Sequence, residues 1–185
     1  MNNPFLIGEQ VYLRPIELED RGHLVQWLNH PEIQRLTLRA RPLNLDDETD
    51  YIQGLRQSQT DIALLIAART DDTPLGCTGL HQIDWRSRHA AFGITVGPAQ
   101  HWGKGYGTEA TRLMVQYAFD TLNLNRVWLH VLEYNERGIR CYEKVGFKKE
   151  GLLRQEHFRD GRYWDTHLLA ILRDEWLAHR RGDVQ

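Results

Sequence analysis

The stretch His101 to Ala110 reads HWGKGYGTEA, with glycines at the alternate positions 103, 105 and 107 just before an apolar-periodic run. A glycine in ordered structure costs about 0.5–1 kcal/mol relative to alanine, so three together need a reason. A strand, a Gly-rich turn and a helix start make an anion site, because unpaired amides at a helix N-terminus point outward and carry partial positive charge. Without side chains in the way, a pyrophosphate would touch the amides of Gly103 to Thr108. The alternative is a plain mobile turn. The loop is not a Walker loop, since no Gly-Lys-Ser/Thr closes it and Lys104 sits between glycines. It is not GxGxxG either, because the glycines are evenly spaced and the preceding strand belongs to a meander. Beyond the following helix and strand comes a second group with the form N-x6-Y-x3-GF: Asn135, Tyr142, Gly146 and Phe147.

These residues need elements to carry them. The spacing predicts a strand over Val11–Ile16 and helices over Leu18–Asn29 and Asp46–Gln59, the latter with Tyr51, Ile52 and Leu55 inward. Between the two helices, Ile33–Leu45 is irregular and carries Arg35, Arg39 and Arg41. The runs Ile62–Ala68, Leu75–Ile83 and Ala90–Val96 read as a meander of strands. After the glycines, Ala110, Leu113, Met114, Tyr117, Ala118 and Thr121 keep helical spacing, so one face of a long helix starting near Gly107 packs on a sheet. Arg126–Leu132 is a strand and Glu136–Val145 a helix stopped by Gly146. Phe147–Phe158 and Tyr163–Leu172 form a hairpin around Asp160-Gly161, since both central residues of a type I′ turn need positive φ. The expected architecture is α/β (α+β): one domain over 1–185 with a mixed, mostly antiparallel central sheet flanked by helices.

Composition bounds the function. With 185 residues, 41% of them hydrophobic, the chain can bury a continuous core. Lys and Arg number 23 against 25 Asp and Glu, a formal charge of -2, so no basic field argues for nucleic acid. No run approaches the ~18 apolar residues of a membrane span. Cys77 and Cys141 form no CxxC pair, which fits a reducing, cytoplasmic compartment. The nine histidines show no zinc spacing, so no metal is expected.

The two motif groups together resemble the GNAT superfamily of N-acetyltransferases, in its branch of ribosomal-protein N-terminal acetyltransferases and polyamine acetyltransferases. There the loop before the long helix has the form Q/R-x-x-G-x-G/A, and Trp102-Gly103-Lys104-Gly105-Tyr106-Gly107 occupies it with Trp in the first place. The segments VYLRPIELED, WLNHPEI and EGLLRQEHFRDGRYWDTHLLAIL extend the likeness over nearly the whole chain. The resemblance implies transfer of an acetyl group from acetyl-CoA to a primary amine by direct attack in a ternary complex. It gives the pyrophosphate to the loop Trp102–Thr108 and the pantetheine arm to the strand Ile94, Thr95, Val96, which it splays from the next strand, with the Val96 amide polarising the thioester carbonyl. It makes Tyr142 the group that protonates the leaving thiolate, and a phenol near pKa ~10 facing a thiol near ~8.5 suits that task. It places Asn135 against the pantetheine; as a preferred helix cap, Asn135 has a second reading. Tyr142 also has one, as an inner-face aromatic beside Ile139 and Val145.

The proton acceptor is open. Many relatives carry a glutamate where this chain has Ala91, which leaves Glu133, His81, His89 or a chain of waters; Glu109 reads as a carboxylate favoured by the helix dipole. Arg35, Arg39 and Arg41 would repel polycations if their loop faces the cleft, favouring a peptide or small-molecule amine over a polyamine. Dimers are common among relatives, and the terminal hairpin offers an edge for a homodimer. A non-catalytic acyl-CoA-binding or sensing protein is the alternative class.

Overall fold

The computed structural model describes residues 1–97 and 99–181. Its strands are β1 (Leu6–Ile7), β2 (Val11–Pro15), β3 (Ile62–Ala68), β4 (Pro74–Asp84), β5 (His89–Val96), β6 (Arg126–Leu132), β7 (Lys148–Arg159) and β8 (Arg162–Leu172). Its helices are α1 (Arg21–Leu28), α2 (Pro31–Gln34), α3 (Leu45–Leu55), α4 (Tyr106–Gln116), α5 (Glu136–Val145) and α6 (Arg173–Arg181). One sheet runs β1-β2-β3-β4-β5-β6-β8-β7, and every neighbouring pair is antiparallel except β5 with β6. The mixed α/β architecture is the expected one. Strand β1 and helices α2 and α6 are additions to it, and α2 gives structure to the start of a segment expected to be irregular.

The sheet is covered on both faces, and strand alternation divides residues between two cores. In β3, Leu64, Ile66 and Ala68 join the cluster that holds Met114, Val115 and Ile139, whereas Leu65 and Ala67 join Leu24, Trp27, Ile33 and Ile52 on the other side. That is why β3 is apolar at every position instead of alternating. Tyr51, expected inward, is 41% exposed; Ile52 carries the buried face of α3.

Helix α4 ends earlier than its apolar period suggests. From Tyr117 to Thr121 the chain winds as a π-helix, and the extra residue per turn rotates Phe119 fully into the core. Thr121, the last residue of the expected apolar face, is exposed. The β7–β8 hairpin turns as its sequence demands, with φ of 50° at Asp160 and 78° at Gly161.

The consequential feature lies between β5 and β6. Their parallel pairing covers only His89–Arg126, Ala90–Val127 and Ala91–Trp128. Beyond Ala91, β5 continues to Val96 on β4 alone and β6 continues to Leu132 on β8 alone, so the sheet forks.

Candidate functional site

The fork opens into a cleft of ≈ 470 Å³ bounded by the free edge of β5, the glycine loop, α4, α5 and the Ile33–Leu38 segment. Ile94, Thr95 and Val96 line it from β5; Trp102, Gly103 and Gly105 from the loop; Tyr106, Gly107 and Thr108 from the first turn of α4; Asn135 and Tyr142 from α5 and its cap. Of the residues expected at the cofactor site, Lys104 alone is outside the lining, exposed on the loop.

The three glycines serve two purposes. Gly103 and Gly105 have φ of 75° and 90°, a region that strains any residue with a Cβ. Gly105 caps α4, which leaves the amides of Tyr106, Gly107 and Thr108 without intrahelical acceptors at the mouth of the cleft. Gly107 is different: it lies inside the helix, and a Cβ there would sit 3.2 Å from Val96 Cγ2. Its lack of a side chain lets α4 approach the end of β5. Glu109 accepts from the backbone amides of Glu9 and Gln10, so it ties the β1–β2 turn to the helix start.

Trp102 donates its indole N–H to the carbonyls of Val96 and Gly97, both at 3.1 Å, and has no donor left for a ligand. Its ring instead supports Arg137, whose guanidinium carbon lies 3.6 Å from the ring centroid. Burial holds the Arg137 pKa below its ordinary value. With Arg140 and Lys144, also on α5 and lining the cleft, it makes that wall cationic. Open helix amides beside three cations fit a ligand carrying phosphates.

Just past β5 the Gly97 amide donates to Leu75 O across the β4 side, 2.6 Å away, and on β5 Gly93 O accepts from Thr78 Oγ1 on that same side at 3.0 Å. Backbone groups alternate along a strand, so the peptide groups of Ile94 and the Val96 amide face the fork. There an extended ligand can add as a strand.

Tyr142 sits at the inner end. Its ring packs edge-on against Phe92 and Phe147, with centroids 6.2 and 5.9 Å away, and its hydroxyl makes no hydrogen bond among the described residues. Burial pushes its pKa well up, with a small addition from Cys141, so the phenol stays protonated throughout the neutral range. Asn135 Oδ1 accepts from the Gly138 amide at 3.0 Å, which is a helix cap. Its Nδ2 makes no hydrogen bond among the described residues and lies beside Gly138, where a Cβ would come within 2.7 Å of it.

None of the three side chains expected as proton acceptors lines the cleft. Glu133 accepts from the Asp165 amide at 3.0 Å; His81 Nδ1 lies 3.2 Å from Asp61; His89 Nε2 lies 4.0 Å from Asp84. Sequence reasoning missed His130, Arg137, Arg140 and Lys144; it read the loop between the two helices as substrate-facing, but that loop lines the cleft through Ile33, Leu36, Thr37 and Leu38, not through Arg35, Arg39 or Arg41. Arg137 carried a legible signal: it lies four residues before Cys141, so both occupy one helix face, and Thr108 of α4 donates to Cys141 Sγ at 3.4 Å. The arginine loop is pinned from afar. Arg159 donates to Gln34 O and Arg39 O, Tyr134 Oη donates to Arg35 O, and Arg35 pairs with Asp160 at 3.0 Å.

This geometry has close counterparts. A family model described as an acetyltransferase (GNAT) domain matches residues 10–148. A spermidine N(1)-acetyltransferase of Vibrio cholerae is 36% identical over 171 residues, covering 92% of this chain and 98% of the relative. The uncharacterized N-acetyltransferase p20 of Bacillus licheniformis is 31% identical over 177 residues, 94% of this chain and 98% of the relative. The crystal structure of spermidine N-acetyltransferase from Vibrio cholerae in complex with CoA and spermine superposes with a TM-score of 0.86 at 26% identity, covering 92% of this chain and 99% of that one. The chain belongs to the GNAT acetyltransferase family: it is an N-acetyltransferase that uses acetyl-CoA to acetylate an amine.

Proposed function

We propose that residues 1–185 form one acetyltransferase domain whose forked sheet holds both substrates. Acetyl-CoA supplies the activated acetyl group. The open amides from Gly103 to Thr108, with Arg137, Arg140 and Lys144 nearby, take its phosphates, and the free edge of β5 at Ile94–Val96 pairs with the pantetheine arm. Asn135 Nδ2 offers that arm a further donor. The Val96 amide polarises the thioester carbonyl, an oxyanion-hole role. Tyr142 donates a hydrogen bond and then its proton to sulfur as the C–S bond breaks, and its raised pKa keeps that proton available. The observation that carries this reading is the unpaired edge of β5 lying between open helix amides and an unpartnered, cleft-lining phenol.

The acceptor is a primary amine: an N-terminal α-amine of a protein or peptide, or a small-molecule amine. It enters past Ile33, Leu36 and Leu38. No carboxylate lines the cleft among the described residues, and Glu48, buried in the first turn of α3, lies outside the lining and in the field of Arg39. A polycation would find no counter-charge there, which favours an amine on an apolar or anionic body. The polyamine reading rests on relatives named spermidine acetyltransferases. The free edge of β7 supports self-association as a homodimer, and the free thiols of Cys77 and Cys141 support a reducing, cytoplasmic setting.

Calorimetry with acetyl-CoA, ATP and NAD is expected to show micromolar binding of acetyl-CoA alone. A thiol assay for CoA release over N-terminal peptides, amino acids, amino sugars and polyamines then ranks acceptors. Peptide or monoamine acceptors are expected to lead; spermidine as the fastest acceptor would replace this acceptor reading with the polyamine one.

A further inference from the structure

An alkyl ammonium is almost wholly protonated at neutral pH and must give up a proton before it can attack a carbonyl. With Ala91 and no carboxylate in the lining, the cleft lacks an acidic side chain for this step among the described residues. Its remaining titratable groups divide simply. Arg137, Arg140 and Lys144 are cations that cannot accept a proton, and Cys141 is engaged by Thr108. Tyr142 holds its own proton. His101 belongs to the glycine-loop end, its ring 6.4 Å from that of Tyr106, also a phenol. Of the titratable groups in the lining, His130 is the one at the fork.

We infer that His130 is the catalytic base of this acetyltransferase. The inference rests on the acetyl-transfer cleft proposed above and adds to it a residue that sequence reasoning passed over. The last β5–β6 pair is Ala91 with Trp128, so continuing the parallel register sets His130 across from Gly93, where the strands have separated. Along β6, Val127, Leu129 and Val131 enter the core beneath α4 and α5, so His130 emerges on the opposite face. Ile33 of α2, at the lip of the cleft, packs in the core on that opposite face. Tyr142 belongs to the α4–α5 side, packed with Phe92 and Phe147. The two groups therefore reach the fork from opposite faces of one sheet.

That arrangement suits direct attack. The ammonium approaches from the lip side and gives one proton to His130, which passes it to solvent; the neutral amine then attacks, the new C–N bond forms, and His130 takes the second proton from the nitrogen. The C–S bond breaks on the far side, where Tyr142 gives its proton to sulfur. Both side chains then exchange protons with solvent, and the net release is one proton per acetylated ammonium. His130 is exposed, its ring lies 5.3 Å from that of Trp128, and its strand partner Leu168 and the lip residues Leu36, Thr37 and Leu38 carry no ionisable group; the titratable neighbour on this face is His81 of β4, whose Nε2 would lie 3.6 Å from a Cβ on Gly93 and whose Nδ1 lies 3.2 Å from Asp61.

The test compares the full-length enzyme with His130→Gln and His130→Ala, using the fastest acceptor from the amine panel. Calorimetric affinity for acetyl-CoA is expected to stay within about twofold, which also reports folding. At saturating amine, kcat of His130→Gln is expected to fall about 100-fold or more, within the span of acid–base contributions. The wild type is expected to lose kcat on acidification in a one-proton step, His130→Gln to lack that step, and added imidazole to restore part of the rate in His130→Ala. A kcat within about twofold of wild type with the acid limb intact would overturn the inference, as would a slow variant that keeps the limb and ignores imidazole. Tyr142→Phe reports separately: it is expected to keep the acid limb, so failure of the proposed acid leaves the His130 result readable.

Discussion

The two halves of the cleft are built in different ways. The half proposed for the cofactor is local and built mainly on backbone: a free strand edge, two glycines with positive φ, open helix amides and an asparagine cap, all within Ile94–Thr108 and Asn135–Tyr142. The half proposed for the acceptor is a short segment, Ile33–Leu38, held by side chains 99 to 125 residues away through Tyr134 and Arg159. In the proposed function a site built on loop amides and a strand edge binds whatever carries pyrophosphate and pantetheine, and Arg137, Arg140 and Lys144 are the side chains whose change reaches its phosphate end. A lip held by long-range hydrogen bonds to carbonyls can change its lining without disturbing the other half.

The largest expected effect is at the boundary between the halves. Tyr142→Phe keeps the ring that packs on Phe92 and Phe147 and removes only the proton. Steady-state kinetics are expected to show kcat lower by roughly 10- to 1000-fold with KM for both substrates changed little. The sign with pH follows from burial: the folded-state pKa is raised, so the acid is present through neutrality and is lost only as pH rises above the usual phenol value of ~10. A wild-type profile that falls between pH 8 and ~9.5 would assign the acid elsewhere.

A change confined to the cofactor half comes next. Gly105→Ala forces a Cβ into φ of 90°, a strain of order 1–3 kcal/mol, with Gln10 Nε2 at 3.4 Å offering little obstruction. Calorimetry is expected to give a Kd for acetyl-CoA about 10-fold weaker, while the ranking of amines in the panel stays fixed. A reordered ranking would mean that the halves are coupled through the loop.

The same contrast explains what the sequence made legible. The glycine loop, the α5 cap and stop, and the Asp160-Gly161 turn all follow from short-range rules about φ and orphan amides, and each lies where the residues put it. Tyr51 and Thr121 were misplaced because apolar periodicity assumes one regular helix, whereas a π-helical segment rotated one face and α3 buries a narrower one. The fork could not be read from the letters; only the family resemblance implied a splayed strand. It is a pairing that stops after three residues, and nothing in the letters of β5 or β6 marks where a partner leaves. His130 escaped notice for that reason: it reads as an ordinary outward residue on a strand until the neighbour is gone.

The acceptor half gives a smaller, selective effect. Arg159→Ala removes the guanidinium that holds Gln34 O and Arg39 O, each such bond contributing about 1 kcal/mol. KM for the amine is expected to rise about 3- to 10-fold, with KM for acetyl-CoA within twofold. Equal changes in both would show that the lip also supports the cofactor half.

The smallest effect separates two duties of one side chain. Asn135 caps α5 through Oδ1 and, in the proposed function, offers Nδ2 to the pantetheine arm. Asn135→Asp keeps a cap acceptor of equal quality at a helix N-terminus that favours negative charge, so thermal stability is expected to hold. It removes the donor, and KM for acetyl-CoA is expected to rise two- to fivefold. Asn135→Ala loses both, with about 1 kcal/mol of stability gone by denaturant titration and a similar KM. If the Asp variant binds acetyl-CoA as the wild type does while the Ala variant loses stability and affinity together, Asn135 is a cap only, and the cofactor half is then a backbone site even here.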